Sequence, residues 1–67
     1  MSPLEALQSY PDRFTRRERE VIRLRWVEGL SYVQIAVELE PEVSIRTVGY
    51  ILSAIRKKIN KLIIINH

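Results

Sequence analysis

Residues 31–59 read SYVQIAVELEPEVSIRTVGYILSAIRKKI, two capped apolar segments separated by a short break. The stretch opens on Ser31-Tyr32-Val33-Gln34, a serine followed three residues later by glutamine, which is the pattern of a helix-capping box. Leu30 and Ile35 flank that box as a hydrophobic staple, and Ala36 and Leu39 continue the apolar face. Pro41 bars further helix because it has no N–H to donate and its ring clashes with the preceding turn. A second start follows at Ser44, with Val43 and Val48 as its staple. Beyond it, Ile45, Val48, Leu52, Ile55, Ile59 and Leu62 recur in steps of three and four, the seam of one long amphipathic helix. Ala36 falls where the two helices cross, and only a small side chain permits close approach there.

Upstream, Ser2-Pro3-Leu4-Glu5 places a cap, a proline at the first helical position and an acid at the third. A helix of about two turns follows, with Leu4 and Leu7 on one face, and stops near Tyr10-Pro11. Thr15-Arg16-Arg17-Glu18 is a further capping box, and its helix should run to Trp26 or Val27 with Gly29 as a left-handed terminator. Val21, Leu24, Ile22 and Trp26 form its apolar arc, with Arg16, Arg19 and Arg23 on the wet side. The expectation is an all-α, four-helix single domain over residues 1–67, with a helix-turn-helix at about 31–59 and a long C-terminal recognition helix. In such a unit the second helix lies in the major groove of DNA. The Ile63-Ile64-Ile65 tail is β-branched and reads equally as strand or as frayed helix.

The 67 residues hold no cysteine, so no disulfide or thiolate metal site supports the small core. Oligomerisation is the natural source of further burial. The net charge of +3 is unevenly spread. Residues 1–30 carry a net +1, residues 31–43 a net −3 from Glu38, Glu40 and Glu42, and residues 44–67 a net +5 with no acid. A cationic third beside an acidic strip suits one polyanion, although a solvated helix face has the same composition. The longest apolar runs are four residues, far short of a membrane span, and the N-terminus lacks the layout of an export signal. A cytoplasmic, nucleoid-associated protein is expected, and Met1 ahead of a capped helix is expected of a chain that begins here. Catalysis has little support. His67 is the single histidine and sits at the end of the chain, the carboxylates fall at helix starts or in the acidic strip, and no ligand set converges on a metal. Neither an enzyme nor a cofactor is expected.

Opposite the seam, Arg46, Gly49, Tyr50, Ser53 and Lys57 share one face of the last helix. Arg46 suits bidentate pairing with guanine or a phosphate, and Tyr50 suits a thymine methyl or a hydroxyl hydrogen bond. Gly49 lowers helix propensity by about 1 kcal/mol relative to alanine, a loss consistent with the helix sitting deep in a groove. Tyr50 as a half-buried packing residue, and Gly49 as a helix contact or kink, remain open at this level. Arg56, Lys57 and Lys58 are expected on phosphate, with no acid nearby in the sequence. Ser31, Tyr32 and Gln34, at a helix start, are expected to position the backbone of the duplex. The heptad continuation Ile55, Ile59, Leu62 and Ile63 extends beyond what so small a domain is expected to cover. It points to a dimerisation extension over 60–67.

From Phe14-Thr15-Arg16-Arg17-Glu18-Arg19-Glu20-Val21-Ile22, through Gly29-Leu30-Ser31, Ile35-Ala36 and Leu39, to Ser44-Ile45-Arg46-Thr47-Val48 and Leu52-Ser53-Ala54-Ile55-Arg56-Lys57-Lys58-Ile59, the chain resembles the LuxR/GerE-type DNA-binding domain of bacterial transcription regulators. The promoter-reading C-terminal domain of bacterial sigma factors shares much of this pattern. The resemblance covers about 46 of the 67 residues. It implies a four-helix DNA-binding domain, dimers formed through the last helix, and a role for Thr47 at phosphate, against which stands a threonine bonded to its own backbone. Two departures matter. Glu40-Pro41-Glu42-Val43 is two residues longer than the usual turn, and Gly49, Tyr50, Ile51 and Ser53 replace more polar or basic side chains. The expected function is a sequence-specific regulator that binds double-stranded DNA as a small stand-alone homodimer, with half-sites ~10 bp apart. The alternatives are a module of the same fold that docks on RNA polymerase or another regulator, and a piece of a larger regulator.

Overall fold

Among the described residues four α-helices follow one another, and each begins where a side chain captures a free backbone amide. The computed structural model describes residues 1–65. Helix α1 spans Pro3–Ser9, with Ser2 Oγ accepting from the Glu5 N–H at 3.2 Å. A single 3₁₀ turn, Pro11–Arg13, leads to α2, whose regular part is Arg16–Ile22. There Thr15 Oγ1 accepts from the Glu18 N–H at 3.1 Å, and Glu18 Oε1 accepts from the Thr15 N–H at 2.8 Å, completing the box. Arg19 donates to the carbonyls of Pro11 and Phe14 and ties the turn to this helix.

Past Ile22 the helix widens into a π-helical stretch, Arg23–Val27, with the Glu28 N–H bonded to Arg23 O at 3.1 Å. Gly29 then takes φ 72°, the left-handed conformation that stops the helix with no Cβ penalty. Helix α3 is Tyr32–Glu38, started by the Ser31–Gln34 box. The longer turn folds back onto the domain: the Val43 N–H bonds Ala36 O at 3.2 Å, and Val43 packs half-buried on the core. The Glu40–Pro41 peptide within it is cis. Helix α4 spans Ile45–Ile65, with Ser44 Oγ accepting from the Thr47 N–H. The tail left open between strand and helix is helical as far as Ile65. The part of the expected extension beyond it lies outside the described residues, as does His67.

Helix α4 is the spine. Its 21 residues span roughly 30 Å, most of the 37 Å long dimension of the molecule. Val48, Leu52, Ile55, Ile59 and Leu62 from α4 meet Ala6, Phe14, Val21, Ile22, Leu24, Ile35, Ala36 and Leu39 in one hydrophobic cluster. Three expectations are corrected here. Ile45, which the three-four spacing puts on the seam, is 50% exposed. A strict 3-4 repeat drifts by ~20° per heptad around a straight helix, and the first member falls off the edge of the interface. Trp26 was placed on the apolar arc of α2 but is 42% exposed. Trp26 falls inside the widened Arg23–Val27 turn, where the step of about 100° per residue of a regular helix no longer sets which side chains face the core.

The third correction concerns dimerisation. Ile55, Ile59 and Leu62 were expected to protrude as a free seam, yet they are 1%, 6% and 4% exposed within a single chain. Helix α1 packs on α4, a contact that the sequence reading left out. Of the four residues expected at a dimer interface, Ile63 alone is only half-buried, and Ile64 beside it is exposed.

Candidate nucleic-acid interface

Because α4 hides its aliphatic edge, the opposite edge is left to solvent along its whole length. Arg46, Tyr50, Ser53 and Lys57 all lie within roughly 60° of one another around the helix, about 180° from the seam, and all are exposed. Tyr50 is 67% exposed, which removes the alternative of a half-buried packing residue. None of Arg46, Tyr50 or Lys57 takes part in an ion pair among the described residues. Arg46 to Ser53 is seven residues, a rise of about 10 Å, comparable with the ~12 Å width of the major groove.

The remaining expected residues fall on two shoulders of this stripe. Gly49 and Arg56 lie on one, and Tyr32 of α3 shares a groove with Arg56 there. A Cβ built on Gly49 meets nothing within 4 Å, so the glycine marks no contact with another helix. Thr47 lies on the other shoulder, half-buried, its hydroxyl 3.0 Å from Ser44 Oγ rather than on the helix backbone. At the start of α3 the side chains are partly committed. Gln34 Oε1 accepts from the Ser31 N–H at 2.9 Å, and Arg25 stacks over the Tyr32 ring at 5.3 Å while donating to Leu30 O at 2.8 Å.

Lys58, expected on phosphate with Arg56 and Lys57, is instead paired within the domain. Its Nζ pairs with Glu18 Oε1 at 2.5 Å, where the carboxylate is 9% exposed. The acid absent from the local sequence arrives from α2, forty positions earlier. Burial pushes the Glu18 carboxyl up, but the Lys58 hydrogen bond, the Thr15 N–H and the Lys58 charge together outweigh it and hold the group below the ordinary glutamate value. Glu18 thereby braces the start of α2 against the middle of α4.

That brace brings in a residue the sequence reading passed over. Arg17 and Thr15 line a shallow crevice with Thr47, Tyr50, Ile51 and Ala54, directly beside the recognition stripe. A signal for it was present. Arg16 and Arg17 occupy the first turn of α2, where a cation opposes the helix dipole and an external anion relieves the conflict.

Comparison with known families finds that the family model of sigma-70, region 4 matches residues 4–59. The chain belongs to the sigma-70 region 4 family. It is therefore a sigma-like helix-turn-helix domain of a DNA-binding, promoter-reading family with which RNA polymerase contact is compatible. Of the two relatives that the sequence resembles, this is the sigma relative, and the LuxR/GerE type is not what the match specifies. The region 4 match also takes in α1, which began outside the resemblance and which packs against α4. No match was found among curated proteins or among solved structures. No described helix is long and apolar enough to cross a membrane.

Proposed function

We propose that this region 4 domain is a transcription regulator that reads a short element of duplex DNA with the first half of α4. One observation carries the reading: Arg46, Tyr50, Ser53 and Lys57 form an exposed stripe, free of ion pairs among the described residues, opposite a packed seam. Arg46, Tyr50 and Ser53 would read base edges from the groove. Lys57 would meet phosphate, with Arg56, Arg17, Thr47 and the start of α3 (Ser31, Tyr32 and Gln34) setting the docking angle. No cofactor or catalytic step is part of this function.

Homodimerisation remains part of the proposal on a narrower footing, since Ile63 and Ile64 at the end of α4 are its remaining apolar contacts. Docking on RNA polymerase is the second reading, and a specific feature favours it. A groove of about 400 Å³ runs between Met1, Trp26, Tyr32, Arg56 and Ile63, presenting exposed aromatic surface rimmed by cations.

Selection of bound sites from a random duplex pool tests the DNA reading directly. Enrichment of a short element, repeated at about one helical turn if the protein is a dimer, is the expected result. Absence of duplex binding at low salt, with polymerase recovered in a pull-down, would replace it with the docking reading.

A further inference from the structure

The basic surface does not end with the base-reading stripe. Further along α4 the 3₁₀ turn approaches its second half, and Arg13, Lys58, Lys61 and Leu62 line a small cleft. Lys58 is neutralised by Glu18, but Arg13 and Lys61 are exposed and pair with no acid among the described residues. Lys57 lies one turn before Lys61 on the same face of α4, which extends the recognition stripe towards the cleft. Like charges held this close destabilise a helix surface slightly, so a polyanion at this ridge relieves an existing repulsion.

Distance decides where that polyanion lies. Lys61 is fifteen residues beyond Arg46, a rise of about 22 Å, whereas the major groove is only ~12 Å wide. When the first half of α4 sits in the groove, its second half has already passed over the groove wall, where the phosphates run. We infer that Arg13 and Lys61 form a second phosphate-contact site that grips the duplex backbone flanking the base-reading segment. The inference rests on the duplex-binding reading and extends its footprint to a surface built from the 3₁₀ turn and the end of α4. The chemistry is charge on charge, so the site carries no base preference of its own.

The test is an Arg13→Ala/Lys61→Ala double variant of the whole chain. Both side chains are exposed, so an unchanged thermal midpoint should confirm that the variant folds. Binding to the selected duplex is then followed by anisotropy as salt is raised. Two lost contacts should flatten the slope of log affinity against log salt by about 1.8. From about 50 to 200 mM salt the parent protein should lose roughly tenfold more affinity than the variant. Trimming the flanking base pairs should abolish the difference between the two proteins. A parent that binds with a variant indistinguishable from it would overturn this site while leaving the DNA reading intact. A parent that binds no duplex at low salt would overturn both.

Discussion

Replacing Gly49 by alanine separates the two roles of α4 in a single substitution. Gly49 lies inside a 21-residue helix, one step off the recognition stripe, and an added Cβ meets nothing within 4 Å. In the free protein the methyl group therefore causes no clash and simply removes the entropic cost of a mid-helix glycine, a gain of about 0.5–1 kcal/mol. For a domain of this size that raises the thermal midpoint by roughly 2–8 °C. With α4 in the groove as proposed, the same methyl would lie where the groove wall approaches the helix backbone. Forcing an extra carbon into a packed contact costs typically 1–3 kcal/mol, which weakens affinity about 5- to 150-fold. Thermal unfolding and anisotropy titration at one fixed salt concentration measure the two effects on the same preparation. The signature is opposite signs, a more stable protein that binds less well. A lower midpoint would refute the open-space reading of Gly49. A higher midpoint with unchanged affinity would refute close approach of DNA to this part of α4.

Three further outcomes follow from the same geometry. Arg46→Ala should relax base preference at one position by about 1–3 kcal/mol, whereas Lys57→Ala should weaken all duplexes alike and flatten the salt slope by about 1; binding-site selection and salt titration of both variants check the division. Ile59→Ala should lower unfolding free energy by about 2–5 kcal/mol, equally in dilute and concentrated samples, because Ile59 is buried within one chain, and denaturant titration at two protein concentrations decides this. Glu18, held below the ordinary glutamate value, contributes stability that is fully present above pH ~4.3 and is lost as pH falls through its lowered folded-state value; Glu18→Gln should reduce that acid-limb dependence and cost about 1 kcal/mol near neutral pH, at the low end for an ion pair because Lys58 is 35% exposed, as urea titration across pH will show.

The parts of this fold that were legible in the sequence are those set by neighbours along the chain. Ser2, Thr15, Ser31 and Ser44 each mark a helix start because a cap needs only an oxygen within three residues of a free amide. Gly29 and Pro41 mark stops for equally local reasons. The exposed stripe of α4 followed from helical periodicity once one edge was assigned to the core. What escaped depended on contacts between distant segments. Nothing along α4 announces that α1 packs against it, and nothing near Lys58 announces Glu18. The π-helical stretch of α2 is likewise invisible locally, since Arg23–Val27 is an ordinary helical sequence. The misplacement of Ile45 and Trp26 has a different origin. Ile45 lies at the rim of a periodic face, where periodicity names a direction and only the neighbours determine how far the cover extends, and Trp26 falls inside the widened turn.

Burial of the seam also bears on how much specificity one copy of this domain can supply. The segment from Arg46 to Ser53 rises about 10 Å, enough to face roughly three base pairs at 3.4 Å each. Each good bidentate contact contributes about 1–3 kcal/mol of discrimination, and between Arg46 and Ser53 the stripe offers one side chain, Arg46, that can make one. Tyr50 and Ser53 add apolar or single hydrogen-bond contacts, and the cations around them act on every sequence alike. A lone domain therefore falls short of the 4–10 kcal/mol that typically separates specific from non-specific sites. The deficit has to be met by a tethered second contact, whose effective concentration raises avidity without new base contacts on this chain. A second copy would meet it through the narrow Ile63–Ile64 surface, and polymerase would meet it through the groove around Trp26 and Tyr32. The two routes predict different operators, a repeated element for the first and a single short element at fixed distance from a promoter for the second. The symmetry of the selected site therefore identifies the partner as well as the sequence.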